Sequence, residues 1–298
     1  MLSEFDIIEK YFQTKAIDRP DVIHGIGDDA AVIELPEHTQ LVMTTDTLVE
    51  NVHFLKETHA KDLGHRALAV NLSDLAAMGA EPAWVLLSLT LPKIDEGWLE
   101  NFSQTFCSLA AQHQCALVGG NLSKGPLSIT VQATGLVTTG QALQRAGAKT
   151  GDLIYVTGEL GAAQAGLRAL KSHESSPLTK NFLRPTPQIE IGVALRNVAT
   201  SCIDISDGLL ADVQHILTAS KVGATIELDK VPVCSAIELD DAVTAGEDYE
   251  LCFTVPPTKA GSIHFPASCI GKIEVEPGLR IMRNQENYVI NKLGYQHF

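Results

Sequence analysis

Aspartates set inside runs of apolar or small residues constrain this chain more than any other feature. Asp46 sits in the β-prone run MTTDTLVENVHF, and Asp74 sits in the otherwise apolar AVNLSDLAAMGA. Asp204 and Asp207 sit in CIDISDGLLAD, and Asp28 and Asp29 follow two glycines in VIHGIGDDAAVIEL. An aspartate with such flanks is costly to bury unless it is paired or bound to metal. A fold for this chain has to provide partners for all of them. Hydroxyls travel with them: Thr44, Thr45, Ser73 and Ser206. Carboxylate with hydroxyl or water is hard-cation chemistry, suited to Mg²⁺. Singly, each carboxylate has an ordinary reading. Asp207-Gly208 reads as a turn or helix N-cap, Asp28-Asp29 as a solvated turn, Asp74 as a partner of a neighbouring loop, and Asp46 as a strand end. The joint pattern over four separated segments favours metal.

Charge points the same way. The 298 residues carry a formal net charge of −14, which makes nucleic acid a poor partner. An acidic protein that takes an anionic substrate needs positive charge, and divalent cations supply it. The six cysteines (107, 115, 202, 234, 252, 269) contain no Cys-x-x-Cys, which argues against a zinc site and for a reducing cytoplasm. The start, MLSEFDIIEKYF, has no signal-peptide pattern, and the apolar stretch around Trp84–Leu91 is too short to cross a membrane.

The length suggests two domains. Helices are expected over 4–13, 61–80, 96–114, 160–172, 187–199 and 207–221. The third carries Trp98, Phe102, Phe106 (or Thr105), Leu109 and His113 on one stripe. Strands are expected at AAVIEL, QLVMTTDTL, WVLLSLTL, CALVGGNLS (strand then turn), LSITVQATGLV, LIYVTG, CIDIS, ATIELD, YELCFTV, CIGKIE and GLRIMR. The turn-rich stretch 138–152 fits a junction between domains at 1–138 and 148–298. Strands and helices do not alternate strictly, so the fold class is α+β (mixed α/β) rather than a doubly wound sheet.

Familiar nucleotide motifs fail. Gly25-x-Gly27-x-x-Ala30 fits a loose dinucleotide fingerprint, but that motif needs a helix next, and the strand-like AAVIELP follows. No P-loop, His-Glu-x-x-His or Gly-x-Ser-x-Gly occurs. Taken alone, His53 reads as a structural or solvated histidine, Arg145 as a surface residue, and Glu247-Asp248 in GEDYEL as an acidic turn.

The stretches GIGDDAAV, TTDTLVENVHF, ALAVNLSDLAAMGAEPAW, LVGG with GPLSIT, AGAKTGDLIYVTG, CIDISDGLLAD and GEDYELCFTV run in one order over nearly the whole chain, to GYQHF. In this the chain resembles the thiamine-monophosphate kinases of the aminoimidazole ribonucleotide synthetase superfamily. The resemblance implies ATP-dependent transfer of the γ-phosphoryl group to thiamine monophosphate. It implies a two-domain subunit, a nucleotide in a cleft between domains, and a cytoplasmic homodimer whose N-terminal sheets pair. By motif it implies Mg²⁺ at Asp29, Thr44, Thr45, Asp46, Asp74, Asp204 and Asp207. It implies ATP at Gly120, Asn121, Arg145 and Ser206, and thiamine monophosphate at His53, Glu247 and Tyr295. The family usually has an aspartate where this chain has Asn121, a metal ligand of weaker charge. No residue looks like a covalent phosphate carrier, so direct in-line transfer is expected, with no catalytic side chain of its own. Among rivals, selenide-water dikinase wants a reactive cysteine near the N-terminus, the hydrogenase-maturation relative a C-terminal one, and aminoimidazole ribonucleotide synthetase fits less well around GGNLSKGPLSIT. A non-catalytic metal- or nucleotide-binding relative is the alternative that Asn121 supports.

Overall fold

The computed structural model describes residues 3–295. The chain divides into two units, Met1–Leu75 with Ala80–Gly140, and Ala76–Gly79 with Gln141–Phe298.

In the first unit, α1 (Glu4–Tyr11) starts at a capping box. Ser3 Oγ accepts the Asp6 N–H at 3.2 Å, and the Asp6 carboxylate accepts the Ser3 N–H at 2.8 Å. Two short antiparallel strands follow, β1 (Val22–His24) and β2 (Val32–Ile33). The glycines between them serve a loop that returns the chain, and no helix follows. The dinucleotide fingerprint is thereby ruled out, and the expected strand at 30–35 shrinks to two residues. Then come β3 (Thr39–Val49), α2 (Ala60–Ala77), β4 (Glu81–Leu91), α3 (Glu96–Gln112), β5 (Ala116–Lys124) and β6 (Ser128–Thr138). The sheet order is β3-β6-β4-β5, with only β4 and β5 parallel.

Alternation gives this sheet one buried face. Val85, Leu87, Leu89, Ile129 and Val131 are buried, whereas Leu41, Met43 and Leu86 are 44%, 65% and 40% exposed. The sequence of α2 is apolar nearly all round, and the helix is buried nearly all round. A Cβ at Gly64 would lie 2.3 Å from the Phe102 carbonyl oxygen, so α2 meets α3 at a distance only glycine allows. Asp95 caps α3, and Trp98, Phe102 and Phe106 stack along it at 4.9 and 5.9 Å between ring centres. Phe102 and Phe106 are fully buried, worth about 1.5–3 kcal/mol each.

The second unit holds β7 (Leu153–Thr157), α4 (Ala162–Lys171), α5 (Thr179–Leu183), α6 (Ile189–Ala194), β8 (Ser201–Asp204), α7 (Leu209–Ser220), β9 (Gly223–Glu227), α8 (Leu239–Thr244), β10 (Leu251–Val255), β11 (Ala267–Glu274), β12 (Gly278–Arg283) and β13 (Glu286–Asn287). Its seven strands run β13-β12-β9-β11-β7-β10-β8, and only β12 and β9 pair in parallel. This mixed order confirms the α+β reading. Leu209, Leu210, Val213, Ile216 and Leu217 on α7 join the core formed by the sheet. The expected helix at 187–199 forms only over Ile189–Ala194. The strand expected from 249 begins at Leu251, because Tyr249 has a φ of 53° and cannot extend it. All six cysteines are free thiols. Among the described residues no helix is long and apolar enough to cross a membrane.

Candidate active site

Two carboxylates of the first unit, Asp46 and Asp74, come together where β3 runs beside α2. Thr44 and Asp46 alternate with exposed neighbours and so share one face of β3. Thr44 Oγ1 donates to Asp74 Oδ2 at 2.5 Å. The Asp46 N–H, on an edge strand, donates at 3.0 Å to Oδ1 of Asn71, which is wholly buried one turn before Asp74. Burial, then the charge of Asp74, pushes the Asp46 carboxyl up to about 6. Two carboxylates crowded together in low dielectric are a standing demand for a cation. Thr45 points the other way, is exposed, and donates to the Val131 carbonyl at 3.1 Å. His53 lies in the turn after β3, where its Nδ1 accepts the Val49 N–H at 3.0 Å. The neutral ring therefore carries its proton on Nε2.

Asn121 lies elsewhere on the sheet. The sequence suggested a turn after LVGG, but β5 continues to Lys124, which places Asn121 inside the strand opposite Ser88. Gly120, with a φ of 151°, would bring a Cβ to 1.8 Å from the Leu87 carbonyl oxygen. Asn121 is exposed and lines a hollow of about 1130 Å³ over the open sheet face, together with Asp28, Asp29, Ser88, Thr130 and Gln132. Asp28 Oδ1 accepts the Asp29 N–H at 2.8 Å. β3 and β5 are opposite edges of this sheet. Three strand spacings, about 14 Å, separate Asp46 from Asn121.

In the second unit, buried Asp204 ends β8, and the turn Ile205–Gly208 leads into α7. The GEDY loop is bonded to this turn. Tyr249 N–H donates to the Ile205 carbonyl and Glu247 N–H to the Ser206 carbonyl, both at 2.9 Å. A Cβ on Gly246 would stand 2.0 Å from the Ser206 oxygen. Tyr295 closes the other side, its N–H donating to the Asp207 carbonyl at 2.9 Å. Ser206, Asp207, Glu247 and Tyr295 are thus brought together. Arg145 is exposed, and Gln144 before it accepts the Cys202 N–H at 2.9 Å beside the outer edge of β8.

Sequence reasoning missed three residues here. Asn71, an asparagine within a helix, carries no anomaly in the sequence. Asp212 accepts three backbone N–H groups of the turn, and His215 lies one turn further along α7. Ligand atoms of Asp207, Asp212 and His215 all lie within 4.8 Å of one another. The signal for the last two was their i, i+3 spacing in DVQH, which puts both on one helix face. Burial outweighs the three N–H donors and holds the Asp212 carboxyl near 7. Asp248 turns away from this cluster to accept the Gly161 and Ala163 N–H groups at the head of α4, and burial lifts it to about 7. Glu250, also raised by burial, accepts from the Thr157 hydroxyl.

Comparison with known proteins decides the family. Residues 27–137 match the model for the AIR synthase related protein N-terminal domain, and residues 149–282 match that for the C-terminal domain. Thiamine-monophosphate kinase of Escherichia coli K12 is 45% identical, with 99% of this chain and 98% of that one covered. The chain belongs to the thiamine-monophosphate kinase family. The crystal structure of thiamine-monophosphate kinase from Stenotrophomonas maltophilia superposes with a TM-score of 0.87, at 42% identity over 94% of this chain and 96% of that one. A solved structure of AaThiL complexed with AMPPCP and TMP has a TM-score of 0.81, at 32% identity over 100% and 97%. The two spans of the AIR synthase related models fall on either side of Gly140, where the units part. Membership of the thiamine-monophosphate kinases thus rests on both units.

Proposed function

We propose that this chain transfers the γ-phosphoryl group of ATP directly to the phosphate of thiamine monophosphate, giving thiamine diphosphate, in the cytoplasm. The observation that carries this reading is the Asp46–Asp74 pair, held by Thr44 and Asn71, in a chain similar from end to end to thiamine-monophosphate kinases. The ATP analogue and TMP bound by AaThiL support the choice of substrates.

The donor set fits Mg²⁺. It consists of carboxylate and hydroxyl oxygens, and the Asp46 carboxyl is raised by burial and then by the charge of Asp74, both of which a bound cation would offset. Asp29, Asp46, Asp74, Asp204 and Asp207 would hold such ions, with Thr44, Thr45 and Asn121 as neutral oxygen ligands. When bound, Mg²⁺ supplies charge neutralisation between two phosphate groups. The protein's own part is positioning. Thr44 orients Asp74. Gly120, Asn121, Arg145 and Ser206 serve ATP. His53 offers its Nε2–H as a fixed donor to the acceptor phosphate, Glu247 faces the cationic thiazolium, and Tyr295 stacks on the substrate's rings. No nucleophilic side chain intervenes, which leaves in-line transfer between the two phosphates.

A second copy of the chain completes the arrangement. Leu41, Met43 and Leu86 on the open face need cover. Mg²⁺ ligands sit at about 2.1 Å, so Asn121 and Asp46 of one chain, about 14 Å apart, have no ion in common. Two sheets paired about a two-fold axis would carry the β5 edge of each protomer to the β3 edge of the other. The test is mass spectrometry of a reaction with ATP, Mg²⁺ and thiamine monophosphate, run beside light scattering. Thiamine diphosphate that disappears with chelator, from a particle of dimer mass, is expected. Binding of ATP without turnover would mark a non-catalytic relative, and full activity from a monomer would remove the paired-sheet arrangement.

A further inference from the structure

The loop that carries Glu247 is held in a costly shape. Glu247 has a φ of 76° and Tyr249 a φ of 53°. Both are left-handed, a conformation that a Cβ disfavours, most of all on a bulky residue. Such residues persist only where the surroundings over-determine them, and they gather at functional sites. On one side the loop is fastened to the Ser206 turn, through the Glu247 and Tyr249 N–H groups. On the other side the fastening is Asp248, the residue between them. Its Oδ2 accepts the Gly161 N–H at 2.8 Å, and its Oδ1 accepts the Ala163 N–H at 3.2 Å. Both donors belong to the head of α4, where N–H groups lack partners within the helix and the N-cap is a glycine with no side chain to serve them. Asp248 caps α4 in its place.

The head of α4 is a firm anchor. Gly161 has a φ of 88°, and a Cβ there would stand 2.7 Å from Ile237 Cγ2 and 2.8 Å from Ala242 Cβ. The Leu160 N–H donates to the Pro232 carbonyl at 2.9 Å, and the Leu160 carbonyl accepts the Cys234 N–H at 3.0 Å. Beyond the loop, the Leu251 N–H donates to Thr157 Oγ1 at 2.8 Å, and the Thr157 hydroxyl donates to Glu250, which fixes where β10 begins. Between these anchors the loop presents the Glu247 carboxylate, with the hydroxyl of buried Tyr249 donating to it at 3.4 Å.

We propose that Asp248 is a positioning residue for the acceptor substrate: by tying the loop to the head of α4, it holds Glu247 and Tyr249 left-handed and so aims the Glu247 carboxylate at the thiazolium of thiamine monophosphate. The target of that carboxylate rests on the proposed function, whereas the tie is read from hydrogen bonds within the second unit.

The experiment compares the full chain with Asp248→Asn, which keeps the volume but has one acceptor oxygen for two N–H groups. Measurements are made at about pH 8.5, above the value of about 7 to which burial lifts this carboxyl, so that both oxygens of the wild type accept. Calorimetry with thiamine monophosphate, and separately with a non-hydrolysable ATP analogue and Mg²⁺, needs no turnover. The variant is expected to bind thiamine monophosphate about tenfold more weakly or worse, with the ATP analogue within about twofold of wild type. On top of Glu247→Gln, the same substitution should cost less than about threefold, because it acts through Glu247. Hydrogen exchange at the Glu247 and Tyr249 amides, without ligands, should quicken about tenfold or more. If Asp248→Asn does not fold, Asp248→Glu, which carries the carboxylate on one more methylene, is held to the same criteria. Unchanged affinity for thiamine monophosphate overturns the proposal, as does an equal loss for the ATP analogue, a full additional loss in the Glu247→Gln background, or unchanged exchange. A wild type that binds no thiamine monophosphate refutes the kinase reading and the aim of Glu247 with it. A wild type that binds it beside an unaffected variant refutes the role of Asp248 alone.

Discussion

Replacing Asp46 with asparagine should make the metal-free protein more stable while removing its activity. Burial and the neighbouring charge of Asp74 lift the Asp46 carboxyl from its ordinary 3.8 to about 6. The folded state therefore binds the proton more tightly than the unfolded state. Below pH 4 both states are protonated, and ionisation costs nothing. As pH rises from 4 to 6 the unfolded chain ionises first, and stability falls. Above pH 6 the loss is complete, at about 1.4 kcal/mol for each tenfold in proton affinity, or about 3 kcal/mol in all. Asparagine keeps the shape and removes that charge. With about 2–4 °C per kcal/mol for a chain of this size, the melting temperature in chelator at pH 7.5 should rise by about 6–12 °C. The gain should vanish near pH 4. Turnover with Mg²⁺ should fall about 100-fold or more, as on removal of a preorganised contact to developing charge. The assay is a pair of melting series across pH in chelator, with initial rates in saturating Mg²⁺. A variant that melts at or below wild type at pH 7.5, or a gain independent of pH, would refute the claim that Asp46 is a strained carboxylate kept for a cation.

Three further outcomes are expected. Asn71→Leu leaves the Asp46 N–H without its partner and should cost about 1–3 kcal/mol in urea denaturation, with a higher Mg²⁺ requirement for half-maximal rate; an unchanged Mg²⁺ curve would separate Asn71 from the positioning of Asp46. Asn121→Asp adds charge at a position proposed as an oxygen ligand and should lower the Mg²⁺ needed for half-maximal rate, and identical titrations would remove residue 121 from the metal set. Gly120→Ala forces β5 away from β4, because its Cβ would fall 1.8 Å from the Leu87 oxygen; a loss of about 2–4 kcal/mol is expected by denaturation, and a loss below about 1 kcal/mol would show that the strand pair yields easily.

What the sequence disclosed, and what it hid, divides along physical lines. Asp46 and Asp74 stood out because a carboxylate in an apolar run is anomalous at the level of single residues. Helix α3 stood out because Trp98, Phe102 and Phe106 recur at helical spacing. Thr45 was grouped with Thr44 because they are adjacent, yet strand alternation sends its hydroxyl to the opposite face. Asn71 and Asp212 were invisible because each acts on backbone amides, and a backbone amide leaves no mark in a sequence. The short α5 and α8 are too brief to build a periodic pattern, and β10 starts late because the left-handed Glu247 and Tyr249 hold the chain against the Ser206 turn. The order β3-β6-β4-β5 is a long-range pairing, and no local spacing indicated that Asp46 and Asn121 would stand on opposite edges.

That separation has a genetic signature. If the sheets pair as proposed, so that the β5 edge of each protomer serves the β3 edge of its mate, a lesion at Asp46 and a lesion at residue 121 in the same polypeptide damage different sites. A cell carrying one gene copy with Asp46→Asn and another with Asn121→Lys would assemble mixed dimers. In each mixed dimer one site inherits both defects and the other inherits neither. Two alleles that each abolish growth on their own would then complement one another when expressed together, whereas Asp46→Asn paired with a second lesion in its own cluster, such as Asp74→Asn on α2, would not.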